Sequence, residues 1–160
     1  MSILKNFLLA VLALLIQTTL VHKLSVFDIK PDLILLVVVY VGVTGGHVQG
    51  TILGFLSGLV QDAYNPSFIG LNAFAKSVVG FGAGYGHGGI AIERPGVRAL
   101  LVFLAAMVHD FVYFLVYTSG HLSRFAFLFF RQGVGSAVYT TLLGSALASF
   151  LHVGTRPRSG

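Results

Sequence analysis

The chain has 160 residues, 56% of them hydrophobic and only 9% charged, where a soluble domain carries about 25% charged residues. It has no cysteine, which excludes disulfides and thiolate chemistry. Ten basic against five acidic residues give a net charge of +5; scattered among short loops, they read as membrane-topology signals and exclude a polybasic nucleic-acid surface.

The recurring apolar runs predict an all-α, polytopic membrane protein with about six transmembrane helices, a single integral membrane domain over 1–160 with a polar tail from about 154. Crossing a hydrocarbon core of about 30 Å takes about 20 apolar residues. Residues 4–21 meet that length, and the flank VHKLSVFDIKPD offers no small-x-small cleavage site, so the run reads as a retained helix and not a secretory signal. Three shorter, glycine-interrupted segments follow at 31–44, 48–60 and 71–86. The Thr44-Gly45-Gly46-His47 and Asn65-Pro66 turns separate them as hairpins. Such segments are tilted, short or set in locally thin membrane. Pro31 suits a first helical position and Asp32 a first turn, where the helix dipole favours negative charge. Arg94-Pro95-Gly96 reads as a loop before a full span at 99–118, and a last span lies within 125–153.

With an even number of spans both termini share one side, which holds Lys5, Arg94, Arg98, Arg156 and Arg158. The other side holds Lys23, Lys30 and Arg124, with Arg131 at the interface. The excess places both termini in the cytoplasm.

Gly50, Gly54 and Gly58 recur every fourth residue and carve a backbone-deep groove into the third helix. Gly80, Gly84 and Gly88 repeat the spacing, and Ser136, Thr140, Gly144 and Ala148 continue it in the last helix. Packing within the protein is the preferred use of these faces, ahead of docking another protein's helix. The match of 84–89 to GxGxxG has no preceding strand and carries no weight as a dinucleotide site.

Two charges sit at unfavourable helix ends. Asp62 closes the third helix, at the dipole's negative end, and Lys76 lies in the second turn of the fourth. The expectation is that they pair across the connection, with Asn72 between them, Lys76 snorkelling back toward the acid. Asp110 falls near the middle of the fifth span and must face the bundle interior. A structural hydrogen bond is preferred over a proton relay or a substrate ligand. Adjacent helical positions point about 100° apart, so His109 and Asp110 are not expected to form a dyad. The six histidines lack HxxxH or HExxH spacing, which leaves a metal site without support. Ser57 in FLSG lacks the preceding glycine of an intramembrane serine protease motif. With neither a nucleophile and base nor paired carboxylates, no enzyme and no cofactor is expected.

The combination resembles the MreD family of bacterial rod shape-determining membrane proteins. The likeness rests on PDLILLVVVYVG at 31–42, a Pro-Asp followed by an apolar run, and on GFLSGLVQDAYNPSFIGLNA at 54–73. The second block carries Gly54, Gly58, Asp62 and the Gly70-Leu71-Asn72-Ala73 helix start. The resemblance implies a non-enzymatic scaffold of the elongation complex in the cell inner membrane. It also implies binding to MreC and, through MreC, work with MreB, RodA and penicillin-binding protein 2. A fold similar to the substrate-binding subunits of energy-coupling-factor transporters is implied as well, as architecture only. The scaffold reading gives the Gly54 and Gly58 face to the MreC helix. The alternative is a small-solute-binding transporter subunit in which Asp110, Lys76 and Asn72 line a cavity near the midplane.

Overall fold

The computed structural model describes residues 3–24, 29–64, 68–89 and 94–153, and all regular structure among them is helical. The Asn65-Pro66 turn and the tail from 154 lie outside the described residues, as do the side chains of Lys5 and Lys23.

Helix α1, Ile3–Leu24, lies against the start of α2, where Ala13 and Leu14 meet Ile34, Val37 and Val38. The Gln17 side chain fixes this contact by accepting from the Ile34 N–H at 3.1 Å, one of the donors that a helix start leaves unpaired. Helix α2 spans Leu33–Ala63. Asp32 caps it, its Oδ1 accepting from the Leu35 N–H at 2.9 Å. The expected start is thus corrected: Asp32 is the cap itself and Pro31 precedes it, because the carboxylate bonds a backbone donor three residues on.

At Gly46 the backbone leaves helical geometry, with φ 85° and ψ 173°, a region that costs a residue with a Cβ. The chain folds back there. A Cβ built on Gly50 would lie 2.8 Å from the Gly42 Cα, whereas eight residues along a straight helix span about 12 Å. The turn expected at 44–47 is therefore present, and it divides α2 into two antiparallel halves. Helix α3, Leu71–Gly84, then runs antiparallel to the second half. Going up α2, Gly50, Gly54 and Gly58 face Gly80, Lys76 and Ala73 in turn, going down α3.

Helix α4, Pro95–Tyr117, begins with its proline at N1, where the missing N–H costs nothing. Of the loop expected at 94–96, only Arg94 stays outside the helix, as its extended N-cap, while Pro95 and Gly96 belong to the first turn. Helix α5, Leu122–Leu128, passes through a π-helical turn, Phe129–Gly133, into α6, Val134–Val153. Leu35, Val39 and Val43 of α2 pack with Val79 and Ala83 of α3, Val102 and Ala106 of α4, and Ala137 of α6. Outward faces such as Leu100, Leu104 and Leu142 are exposed and apolar, as lipid contact requires. Among the described residues, three helical stretches are long and apolar enough to cross a membrane, Leu33–Ala63, Pro95–Tyr117 and Leu122–Phe150; the first of them is the folded α2.

Candidate functional site

Charged side chains from three parts of the chain meet inside this bundle. Lys76, 0% exposed, extends its ammonium to Asp32 Oδ2 and, at 3.2 Å, to His109 Nε2. On the other edge of the same ring, His109 Nδ1 lies 2.9 Å from Asp110 Oδ1. A line of four ionisable groups, Asp32, Lys76, His109 and Asp110, therefore crosses from the cap of α2 through α3 to α4. Thr140 of α6 closes one end, its Oγ1 accepting from the Asp32 N–H at 3.0 Å. At the other end, Gly133 of the π turn presses on Asp110, a Cβ built there lying 3.2 Å from the Asp110 Cβ. Tyr113 stacks on the His109 ring with centroids 6.0 Å apart.

Two expectations are overturned here. Lys76 does not pair with Asp62, because Asp62 is already saturated. Its Oδ1 accepts from the Asn72 N–H and from Asn72 Nδ2, and its Oδ2 from the N–H groups of Gly70 and Ala73, all within 3.1 Å. Asp32 and His109 also reach Lys76 at its own depth, so the side chain has no need to snorkel. The second correction concerns His109 and Asp110, which do form a hydrogen-bonded dyad. The 100° between adjacent positions fixes where two Cβ atoms point, but a short carboxylate swinging toward the near edge of an imidazole spans it.

Asp62 instead works as a cap from outside. It is 1% exposed, and its carboxylate receives the backbone donors at the start of α3, the positive end of that helix's dipole. Gly70 makes this possible with φ 96°, which turns its N–H toward Asp62 at no Cβ cost. The unfavourable position at the end of α2 is thereby a favourable one at the start of α3. Asp62→Ala leaves these buried donors unpaired, at about 1–3 kcal/mol each where water cannot replace the acceptor. We expect a clear fall in melting temperature in detergent, with Asp62→Asn milder because it keeps one acceptor oxygen. An unchanged melting curve for Asp62→Ala would remove the cap from the account.

The remaining residues singled out in the sequence divide cleanly. Gly50, Gly54, Gly58, Gly80 and Gly84 all meet backbone of the facing helix, so packing within the protein is their use and the face is not free for MreC. Gly88 lies in a turn with φ 75° and nothing near it. Ser136 and Gly144 contact Lys30 and Leu36 across the α2–α6 seam. Ser57 donates to the Leu53 and Gly54 carbonyls of its own helix. Asn72 turns to Asp62, and Lys76 to Asp32 and His109, so the two side chains are bonded to different partners. The grooves α3–α4 and α4–α6 are lined almost wholly by apolar side chains. No group of three metal-ligating side chains occurs among the described residues.

An all-helical bundle with an apolar outer surface, and with its buried acids and lysine hydrogen-bonded inside it, defines an integral membrane protein. The family model for rod shape-determining protein MreD matches residues 1–153, and the chain belongs to that family. No curated protein and no solved structure matches it.

Proposed function

We propose that the chain is a non-enzymatic membrane scaffold of the rod-shape machinery. In this reading it binds MreC and helps couple MreB filaments to peptidoglycan synthesis by RodA and penicillin-binding protein 2. The family match over residues 1–153 carries the reading, since membership brings a role in rod shape determination. Counting the two halves of α2 separately gives six crossings in the inner membrane, with both termini cytoplasmic. The Asp62 hairpin then faces the periplasm.

With the Gly54 and Gly58 face occupied by α3, the MreC helix must seat elsewhere. The α3–α4 groove suits it. Gly82 has nothing within 4 Å of a built Cβ, Ala83 and Ala105 line the same groove, and Val78, Leu104 and Val108 flank it exposed. Small residues between apolar flanks let a second backbone approach closely, and close packing drives association in lipid, where apolar burial brings little gain. Crosslinking in native membranes followed by mass spectrometry is expected to recover MreC with the wild-type chain. Gly82→Leu is expected to lose at least about tenfold in MreC recovery, on the order of 1.4 kcal/mol, at normal protein level. Absence of MreC from the wild-type preparation sinks the scaffold reading; unchanged recovery with Gly82→Leu discards only the groove.

A further inference from the structure

We infer that the buried line of charged groups binds one exchangeable proton, and that its binding atom is Asp110 Oδ2 and not the imidazole of His109. An ammonium only donates hydrogen bonds, so the Lys76 contact at 3.2 Å requires His109 Nε2 to accept and to carry no hydrogen. The ring's hydrogen then sits on Nδ1 and is donated to Asp110 Oδ1 at 2.9 Å. A second proton on the ring would have to sit on Nε2, facing Lys76 Nζ donor to donor and charge to charge. With Lys76 an ammonium paired to Asp32, the contact accommodates the ring only with Nε2 bare.

The other oxygen of Asp110 is the open position. Oδ2 is enclosed and meets no donor among the described residues. The groups packed around the carboxyl are His109 and Tyr113 from α4, Lys76 from α3, Asp32 from the cap of α2, and Gly133 of the π turn, whose one charged residue, Arg131, is exposed and lies over the Phe127 ring. Lys76 and Asp32 cancel, and His109 is neutral. An ionised Asp110 would leave a net charge of one, unpaired at Oδ2, inside an apolar bundle, where a charge is tolerated only with a partner. A proton on Oδ2 makes the whole line neutral and leaves every contact described above intact. Loss of that proton puts an uncompensated charge where α3, α4 and the π turn meet, so proton occupancy and helix packing are coupled. The inference is independent of the scaffold reading.

Infrared spectra of the full chain in lipid nanodiscs read the proton directly, because a protonated carboxyl has a carbonyl stretch that a carboxylate lacks. Only five acidic residues are present, and Asp62 and Asp32 already have donors on both oxygens. The expected result at neutral pH is a single protonated-acid band that shifts in heavy water, persists in Asp28→Asn and Glu93→Gln, and is lost in Asp110→Asn. A spectrum without the band, or a band that survives Asp110→Asn, overturns the assignment. Should Asp110→Asn fail to fold, nitrogen NMR of the wild-type protein decides. The histidine ring in through-space contact with the Lys76 ammonium is expected neutral with Nδ1 protonated, and an imidazolium there overturns the proposal.

Discussion

Lys76→Met is expected to leave little or no folded, monodisperse protein in detergent, although methionine fills similar volume and suits a membrane interior better than lysine. The cost comes from what remains behind. Asp32 keeps its carboxylate inside the bundle with Leu35 as its remaining donor and no cation, and removing one partner of a buried pair costs about 3–5 kcal/mol. His109 Nε2 also loses its donor. The double variant Asp32→Asn/Lys76→Met removes both charges and is expected to recover much of the folded fraction, since buried pairs replaced by neutral groups are often no worse than the original. A charge swap, Asp32→Lys with Lys76→Asp, is expected to fail, because Asp32 also caps α2. Size-exclusion profiles and melting temperatures check all three, and a wild-type profile for Lys76→Met alone would show that the line of charges does not hold the bundle.

The sequence carried the class of protein and the helix order clearly, because apolar run length and glycine turns are local signals. It placed the reversal at 44–47, where Gly46 takes a positive φ, and it read the fourfold glycine spacing as packing. Pairings between distant charges were a different matter. Asp62 and Lys76 were matched because they are close along the chain and both misplaced, but Asp62 had four donors nearer to it, three of them backbone N–H groups whose direction depends on the left-handed turn at Gly70. The true partner of Lys76, Asp32, is 44 positions away and reaches it only because α2 folds back and returns its second half beside α3. Pro31-Asp32 was legible as a helix start. That the same carboxylate has a second oxygen facing inward was not, since periodicity gives the side of a helix and not the free valence of a cap.

The same fold-back makes Gly80 one of the most tightly packed glycines among the described residues. Gly80→Ala is expected to lower stability by about 3 kcal/mol, the upper end of overpacking costs, and Gly80→Leu to leave no folded protein. A Cβ at Gly80 lands on the carbonyl group of Gly50 and on the Thr51 nitrogen, which are backbone atoms of a helix and have no rotamer to yield. The two helices would have to separate, losing at once the contacts at Gly54, Gly58 and Gly84 and drawing Lys76 away from Asp32. Close backbone approach is the main attraction between these helices, since apolar burial gains little in lipid, so nothing remains to offset the separation. Gly82, two residues along the same helix but facing open space, is the internal control. There the added methyl raises helix propensity by about 1 kcal/mol at most, and Gly82→Ala is expected to melt at or slightly above the wild-type temperature. Equal melting temperatures for Gly80→Ala and Gly82→Ala would mean that α2 and α3 are not held by backbone contact.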